Sequence, residues 1–194
     1  MGQLTQLDRL SIANRIDDDT GESLTLPTGN GLVGTIPTYV GLMVGLSWFR
    51  LYGTFGMAGS IPTEVALLTN LKVLELQRNQ HTGTLPAEIF DTLSNLESLE
   101  LQHNRFSGAI PVAMSDLKKL DTILLYDNDF VGEVTTEICD LSFLQELDVD
   151  CDKVACSCCK GEHCCSINGN TVGGPPLVPS ASCPNDEEES NPLQ

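Results

Sequence analysis

The sequence is poor in basic and aromatic side chains and has no long apolar run. Its 194 residues include 10 Lys and Arg against 27 Asp and Glu, which gives a formal net charge of −17. A field of this sign repels phosphate backbones and anionic lipid headgroups, so we expect no nucleic-acid partner. The best apolar stretch, residues 40–49, is shorter than the roughly 18 residues of a transmembrane helix, and we expect no membrane span in this chain.

Several chemical motifs are absent as well. The sequence contains no glycine-rich phosphate loop, no catalytic triad and no metalloprotease motif. We therefore expect a protein that is not an enzyme, with no catalytic residue, no metal and no cofactor. The first residues also lack the apolar segment of a secretory signal, so a signal peptide is not expected within this chain.

A frame that returns every 24 to 25 residues dominates the sequence. Its clearest copies begin at Leu71, Leu96 and Leu120, with apolar residues at positions 1, 4 and 6 and Asn at position 9. Positions 4 and 6 alternate as in a β-strand, so we expect one short strand from each repeat. A unit this short cannot bury its apolar side alone, and about six copies are expected to stack into a solenoid.

The Asn at position 9 lies where the chain leaves the strand and turns. Its amide can satisfy buried backbone donors and acceptors on both sides of the turn. In register, these side chains are expected to form a structural ladder of Asn79, Asn104 and Asn128. Thr54 and Asp152 take the place of Asn in the second and sixth copies, so a clean ladder is not expected at either end.

A second signature, Gly-x-Ile-Pro or a close variant, follows the Asn in the middle copies. Gly permits the backbone reversal of a turn, and Pro sets the start of the next segment. Residues 104–111, Asn-Arg-Phe-Ser-Gly-Ala-Ile-Pro, show both signatures together. With these residues in view, residues 1–152 resemble the plant-type leucine-rich-repeat family, whose unit reads LxxLxLxxNxLSGxIPxxLGxL. The resemblance implies a right-handed α/β solenoid with a parallel concave sheet.

Cysteine is absent from the first 138 residues and then abundant. The eight cysteines are Cys139, Cys151, Cys156, Cys158, Cys159, Cys164, Cys165 and Cys183. The last rung of a solenoid needs a cover, and a cross-linked segment supplies one without a large core of its own. A zinc site is the alternative, because Cys156-x-x-Cys159 has ligand spacing and His163 follows. No second pair stands at the usual separation, so we favour a disulfide cap, whose connectivity the sequence does not determine.

These patterns divide the chain into three parts. Residues 1–150 form the solenoid, with an insertion at about residues 16–30, and residues 151–183 form the Cys-rich cap. Residues 184–194 form an acidic tail that has too little apolar content to pack and is expected to be disordered.

Frame positions 3, 5, 7 and 8 point away from the core onto the face of the expected sheet. Aromatic side chains there are candidate anchors for a partner, although Trp48 and Tyr52 could instead pack against the insertion. Equivalent positions of adjacent copies are neighbours, so Arg50, Glu75 and Glu100 should form one row in which the arginine offsets repulsion between the carboxylates. The predicted ligand-binding residues are Trp48, Arg50, Tyr52, Glu75, Gln77, Glu100, Gln102, His103, Tyr126 and Asp148.

Two candidates for chemistry have simpler interpretations. His81 occupies the apolar slot that Phe106 and Phe130 fill in sister copies, so we expect a packing residue. The pair Glu75 and Glu100 is similar to the carboxylates of a retaining glycosidase, but an open sheet supplies no sugar pocket.

The resemblance implies an extracellular module that recognises a peptide, protein or carbohydrate on its concave face, as in a receptor or adhesion ectodomain. The same family includes secreted inhibitors of enzymes that degrade cell walls, and fold alone does not choose between these roles. An intracellular scaffold whose cysteines are reduced or bind zinc is a further alternative.

Overall fold

The computed structural model describes residues 4–13 and 32–159, which form a solenoid of stacked rungs. The predicted insertion at residues 16–30, the acidic tail at 184–194 and three cap cysteines, Cys164, Cys165 and Cys183, lie outside the described residues. The division of the chain into solenoid, cap and tail therefore stays a prediction.

Twelve strands within the described residues form two parallel sheets. In chain order they are β1 (Arg9–Ala13), β2 (Val33–Thr35), β3 (Trp48–Tyr52), β4 (Gly56–Gly59), β5 (Val73–Glu75), β6 (Gln80–Gly83), β7 (Ser98–Glu100), β8 (Arg105–Ala109), β9 (Thr122–Leu124), β10 (Asp129–Glu133), β11 (Glu146–Asp148) and β12 (Val154–Ala155). The odd-numbered strands pair in chain order as the predicted concave sheet, and the even-numbered strands pair in chain order as a second sheet.

The second sheet corrects the prediction of one strand per repeat. The frame predicts a strand only at positions 4 and 6 and a turn at the Gly that follows the Asn. In the structure Gln80 and Thr82 are exposed while His81 between them is buried, which is the alternation of a strand. Because every rung runs through this region in the same way, the extended segments lie side by side and pair their backbone groups. Gly83 then reverses the chain with φ 83°.

Short helical segments close each rung on the convex side. Two are α-helices, α1 (Ala87–Thr92) and α2 (Thr136–Cys139), and four are 3₁₀-helices, Leu4–Gln6, Thr38–Leu42, Thr63–Leu67 and Val112–Asp116. A proline or Thr135 precedes five of the six, with φ between −65° and −76°. The ring of proline holds φ near this value, which favours the start of a helix. None of the helices in the described ranges is long and apolar enough to cross a membrane.

The core lies between the two sheets and the helical segments. Leu71, Leu74 and Leu76 at frame positions 1, 4 and 6 are fully buried, as are their counterparts in the next rung. Under the second sheet, Phe106 stacks on Phe130 with ring centroids 6.3 Å apart and on His81 at 5.8 Å. Each rung therefore buries its apolar residues against those of its neighbours, as the repeat period predicted.

The predicted asparagines connect the rungs through hydrogen bonds. Asn104 Nδ2 donates to the carbonyls of Leu76 at 2.9 Å and Leu101 at 3.0 Å, and Oδ1 accepts from the backbone N–H of His81 at 2.9 Å. Asn128 repeats this pattern one rung later. Each side chain thus satisfies backbone groups that the turn would otherwise bury without partners.

The ladder continues at both ends through other side chains. In the second rung, Thr54 Oγ1 donates to Asn79 Oδ1 and accepts from the N–H of Met57. In the sixth rung, Asp150 Oδ1 and Oδ2 accept from the N–H groups of Asp127 and Asn128, at 2.8 and 3.1 Å. In inner rungs the equivalent N–H groups donate to carbonyls of the following rung. The carboxylate of Asp150 therefore accepts bonds that backbone carbonyls accept in the inner rungs, and it does so from a frame position two residues before Asp152.

Disulfides cover the C-terminal end of the array. Cys139 at the end of α2 is bonded to Cys158, Cys156 is bonded to Cys159, and Cys151 is also in a disulfide. Among the described residues no cysteine is free. The pair with zinc-ligand spacing is thus bonded to itself, which favours the disulfide cap over the metal site.

We predict that Asn104→Ala lowers the free energy of unfolding by about 1–3 kcal/mol, because three buried backbone groups lose their partner. Urea unfolding followed by circular dichroism measures the change. Asn70→Ala is the matched control, since Asn70 is exposed and donates a single bond to the carbonyl of Val44. Equal destabilisation by both changes would contradict the ladder.

His81 generates a prediction with a pH dependence. Its ring is fully buried, Nε2 has no hydrogen-bond partner among the described residues, and burial lowers the pKa of the imidazole. The folded chain keeps His81 neutral, whereas the unfolded chain takes up a proton below about pH 6.5. Stability from this group is therefore present above that pH and is lost as pH falls.

His81→Phe places in this slot the residue that sister rungs use. We expect it to raise the free energy of unfolding by about 1 kcal/mol at about pH 5.5 by removing a buried unpaired nitrogen. The gain should shrink at about pH 7.5, where the unfolded imidazole is neutral as well. Urea titrations at the two pH values measure both effects, and a variant less stable than the parent at low pH would show the expectation to be wrong.

Candidate functional site

The concave sheet arranges the predicted ligand-binding residues in two rows across the strands. The first row contains Arg50, Glu75 and Glu100, which are register partners on β3, β5 and β7 as predicted. The same row continues to Leu124 on β9 and Asp148 on β11. Because neighbouring strands lie about 4.8 Å apart, these side chains are neighbours across the sheet.

The second row lies two residues further along each strand. Backbone bonds from Gly53 to Gln77, from Arg78 to Gln102 and from His103 to Tyr126 carry the pairing beyond the strand ends. This row contains Tyr52, Gln77, Gln102 and Tyr126. Two tyrosines therefore flank two glutamines.

At the N-terminal end of the face, an arginine-aromatic cluster is formed by Arg9, Trp48 and Arg50. Arg9 Cζ lies 3.1 Å from the centroid of the Trp48 ring, and Arg50 Cζ lies 5.1 Å from it. A guanidinium over an indole face is held by the ring quadrupole. Arg9 was not among the predicted ligand-binding residues. Arg9 and Trp48 hold the same frame position in adjacent repeats and are register partners on β1 and β3, and that shared position is the sequence signal that identifies Arg9 as part of this face.

At the centre of the face, an acceptor strip is formed by Glu75, Gln77, Glu100 and Gln102. Glu75 Oε1 pairs with Arg50 Nε at 2.9 Å. Glu100 accepts from Gln77 Nε2 at 3.1 Å and from Ser98 Oγ at 3.2 Å. The strip thus carries two carboxylates and has one arginine as its ionic partner.

Electrostatics in the acceptor strip disfavour full ionisation. Burial and then the neighbouring charge of Glu100 raise the pKa of Glu75, while Arg50 offsets part of the effect. The folded chain holds this proton more tightly than the unfolded chain. The resulting stability is present below the unfolded pKa of Glu75 and is lost as pH rises through its folded pKa.

At the C-terminal end, aromatic and acidic residues lie together. His103 Nδ1 is 2.7 Å from Asp127 Oδ2, and the His103 ring meets Tyr126 edge-on at 5.2 Å. Burial and the charges of Asp148, Glu146 and Glu100 raise the pKa of Tyr126, while Arg78 offsets part of this. This end of the face is therefore negative, in contrast to the arginine-aromatic cluster at the other end.

The two carboxylates of the acceptor strip are engaged within the face itself. Glu75 is more than nine-tenths buried and pairs with Arg50, and Glu100 accepts hydrogen bonds from Gln77 and Ser98. Within the described residues, no group of His, Cys, Asp and Glu is arranged to hold a metal ion. The predicted site residues are thus brought together as one polar surface between two aromatic ends.

The chain is similar to proteins of known structure. Residues 69–130 match the family described as leucine rich repeat, and no curated protein matches the sequence. The ectodomain of the Arabidopsis receptor kinase HAESA with an IDA peptide hormone is 33% identical, with TM-score 0.59, over 64% of this chain and 20% of that one. The SOBIR1 ectodomain of Arabidopsis thaliana is 26% identical, with TM-score 0.56, over 68% and 74%. PEPR1 in complex with AtPEP1 is 34% identical, with TM-score 0.54, over 61% and 16%.

The array therefore has the leucine-rich-repeat fold of plant receptor-kinase ectodomains, as its two signatures predicted. This chain spans a fifth or less of HAESA and PEPR1 and about three quarters of the SOBIR1 ectodomain.

The acceptor strip generates a testable prediction. Glu100→Gln removes the neighbouring negative charge, so the pKa of Glu75 should fall toward its ordinary value. A ¹³C NMR titration of the Glu75 carboxyl carbon measures the shift. Glu97→Gln is the matched control, because Glu97 pairs with exposed Lys72 away from the strip and loses the same charge. A pKa of Glu75 that is equal in both variants would contradict the proximity of the two carboxylates.

Proposed function

We propose that this chain is the ligand-recognition module of an extracellular receptor ectodomain and binds a peptide or protein on its concave face. The observation that carries the proposal is the composition of that face. Trp48 and Tyr52 lie near one end and Tyr126 near the other, and hydrogen-bonding side chains lie between them. Aromatic side chains are enriched in protein interfaces and often act as binding anchors there.

The dimensions of the face fit an extended peptide or the edge of a small protein. Trp48 on β3 and Tyr126 beyond β9 are three strands apart, which is about 14 Å at about 4.8 Å for each strand. An extended peptide covers that span with about four or five residues. A ligand that crosses the strands would therefore contact both aromatic ends together.

The similar structures support the same class of ligand. HAESA was solved with a peptide hormone, and PEPR1 was solved in complex with AtPEP1. Carbohydrate binding and the role of a secreted inhibitor stay predictions. The disulfides at Cys139, Cys151 and Cys156 support an oxidising compartment over an intracellular scaffold.

Aromatic substitutions test this proposal. Peptides selected from a displayed random library on the whole chain provide ligands, and isothermal titration measures their affinity. We expect Trp48→Ala and Tyr126→Ala each to weaken binding by about 2 kcal/mol, because each removes an anchor. Thermal unfolding of both variants checks that the fold persists.

Tyr39→Ala is the matched control, because Tyr39 is an exposed aromatic residue on the convex 3₁₀-helix. It should leave affinity unchanged. Binding that survives both concave substitutions, or that is lost with Tyr39→Ala, would place the ligand elsewhere and overturn the proposal.

A further inference from the structure

The acceptor strip contains more acceptors than its own donors satisfy. Gln102 is more than nine-tenths buried, and its Oε1 has no hydrogen-bond partner among the described residues. Gln77 Oε1 is likewise buried and without a partner, although Nε2 of the same amide donates to Glu100. Buried amide oxygens normally accept at least one hydrogen bond. The two amides therefore point to donors that the described residues, 4–13 and 32–159, do not supply.

The acceptor strip is negatively charged, so a donor group that carries a positive charge would complement it. Arg50 pairs with Glu75, while Glu100 receives bonds from the neutral groups of Gln77 and Ser98. Two carboxylates and one guanidinium leave one negative charge within the strip and its immediate partners. A ligand that brings donors together with a positive charge would satisfy the amides and offset that charge.

Aromatic neighbours further restrict the shape of the ligand group. Tyr52 lies next to Gln77 in the strand register, and Tyr126 lies next to Gln102. A tyrosine therefore flanks the acceptor strip on each side. A flat cation can lie against such a ring while its edge donates to amide and carboxylate oxygens. A guanidinium combines five N–H donors with a flat face, whereas an ammonium has three donors and no face.

We propose that the acceptor strip, Glu75, Gln77, Glu100 and Gln102, is a subsite for a guanidinium-bearing side chain of the ligand. The subsite deepens the proposed function, on which it rests, by naming the chemistry of one ligand residue. The arginine of the ligand lies between the contacts made by Trp48 and Tyr126. Binding requires the two terminal amides to rotate so that their buried oxygens face the incoming donors.

The test uses a minimal probe with the whole chain. N-acetyl-arginine-N-methylamide is titrated while the side-chain NH₂ resonances of Gln77 and Gln102 are followed by ¹⁵N NMR. The citrulline analogue is the matched probe, since it keeps the shape and loses the charge. We expect saturable shifts of both amides with the arginine probe and binding at least about tenfold weaker with citrulline. Equal binding of the two probes would overturn the subsite.

Two variants locate the binding. Glu100→Gln and Gln102→Leu should each weaken the arginine probe by about fivefold or more, because one removes charge and the other an acceptor. Glu97→Gln, which removes the same charge outside the strip, should leave its affinity unchanged. An unchanged affinity in both strip variants, or shifts confined to Glu146 and Asp148, would overturn the subsite. The ¹⁵N spectra show whether each variant remains folded.

The subsite and the proposed function fail in different ways. If selected peptides require Trp48 and Tyr126 but carry no arginine or other cation that shifts the strip amides, the recognition module stands and the subsite is wrong. If the arginine probe occupies the strip but no selected peptide or protein competes with it, the subsite stands and the proposed function is wrong.

Discussion

In-register stacking of adjacent rungs is the constraint on which this structure depends. Each rung contains a turn whose N–H and C=O groups lie inside the solenoid. The neighbouring rung supplies the hydrogen-bond partners that these groups would otherwise lack. Asn104 and Asn128 do so with the same three hydrogen bonds, two donated and one accepted, at nearly equal distances. Because a slip of one residue would break every such bond and move apolar side chains out of the core, the register is strongly specified.

The same register produces the concave face. Side chains that are about 25 residues apart in sequence become neighbours, which places Arg50 beside Glu75 and Glu75 beside Glu100. Stacking places the carboxylates of Glu75 and Glu100 side by side. Arg50 pairs with Glu75, and the neutral groups of Gln77 and Ser98 donate hydrogen bonds to Glu100. The charge of Glu100 still contributes to the raised pKa of Glu75. Glu75 and Glu100 repel one another when both are ionised, and a cationic ligand group would reduce that repulsion.

The ends of the array show how a repeat protein stops. Thr54 keeps the hydrogen bonds of the ladder with a hydroxyl, at the place where the second rung carries an extra residue. At the other end the carboxylate of Asp150 accepts the two N–H groups that backbone carbonyls accept in inner rungs, and Lys153 donates to the carbonyl of Asn128. Disulfides then cover the last apolar layer, so that a small cap needs little core of its own.

The sequence by itself determined the rungs, the concave rows, the inward leucines and the buried place of His81, because a strict period assigns each position to one side of the chain. It did not reveal the second sheet, since the pairing of residues 80–83 with their neighbours depends on how adjacent rungs bend. Tertiary structure alone decided that Asp150 caps the ladder, that Cys156 bonds Cys159 and that no donor in the described part of the chain reaches Gln102 Oε1. These features depend on side-chain contacts at positions where the repeat ends or where one copy differs from the next. A sequence period describes what the copies share, so it does not predict such contacts.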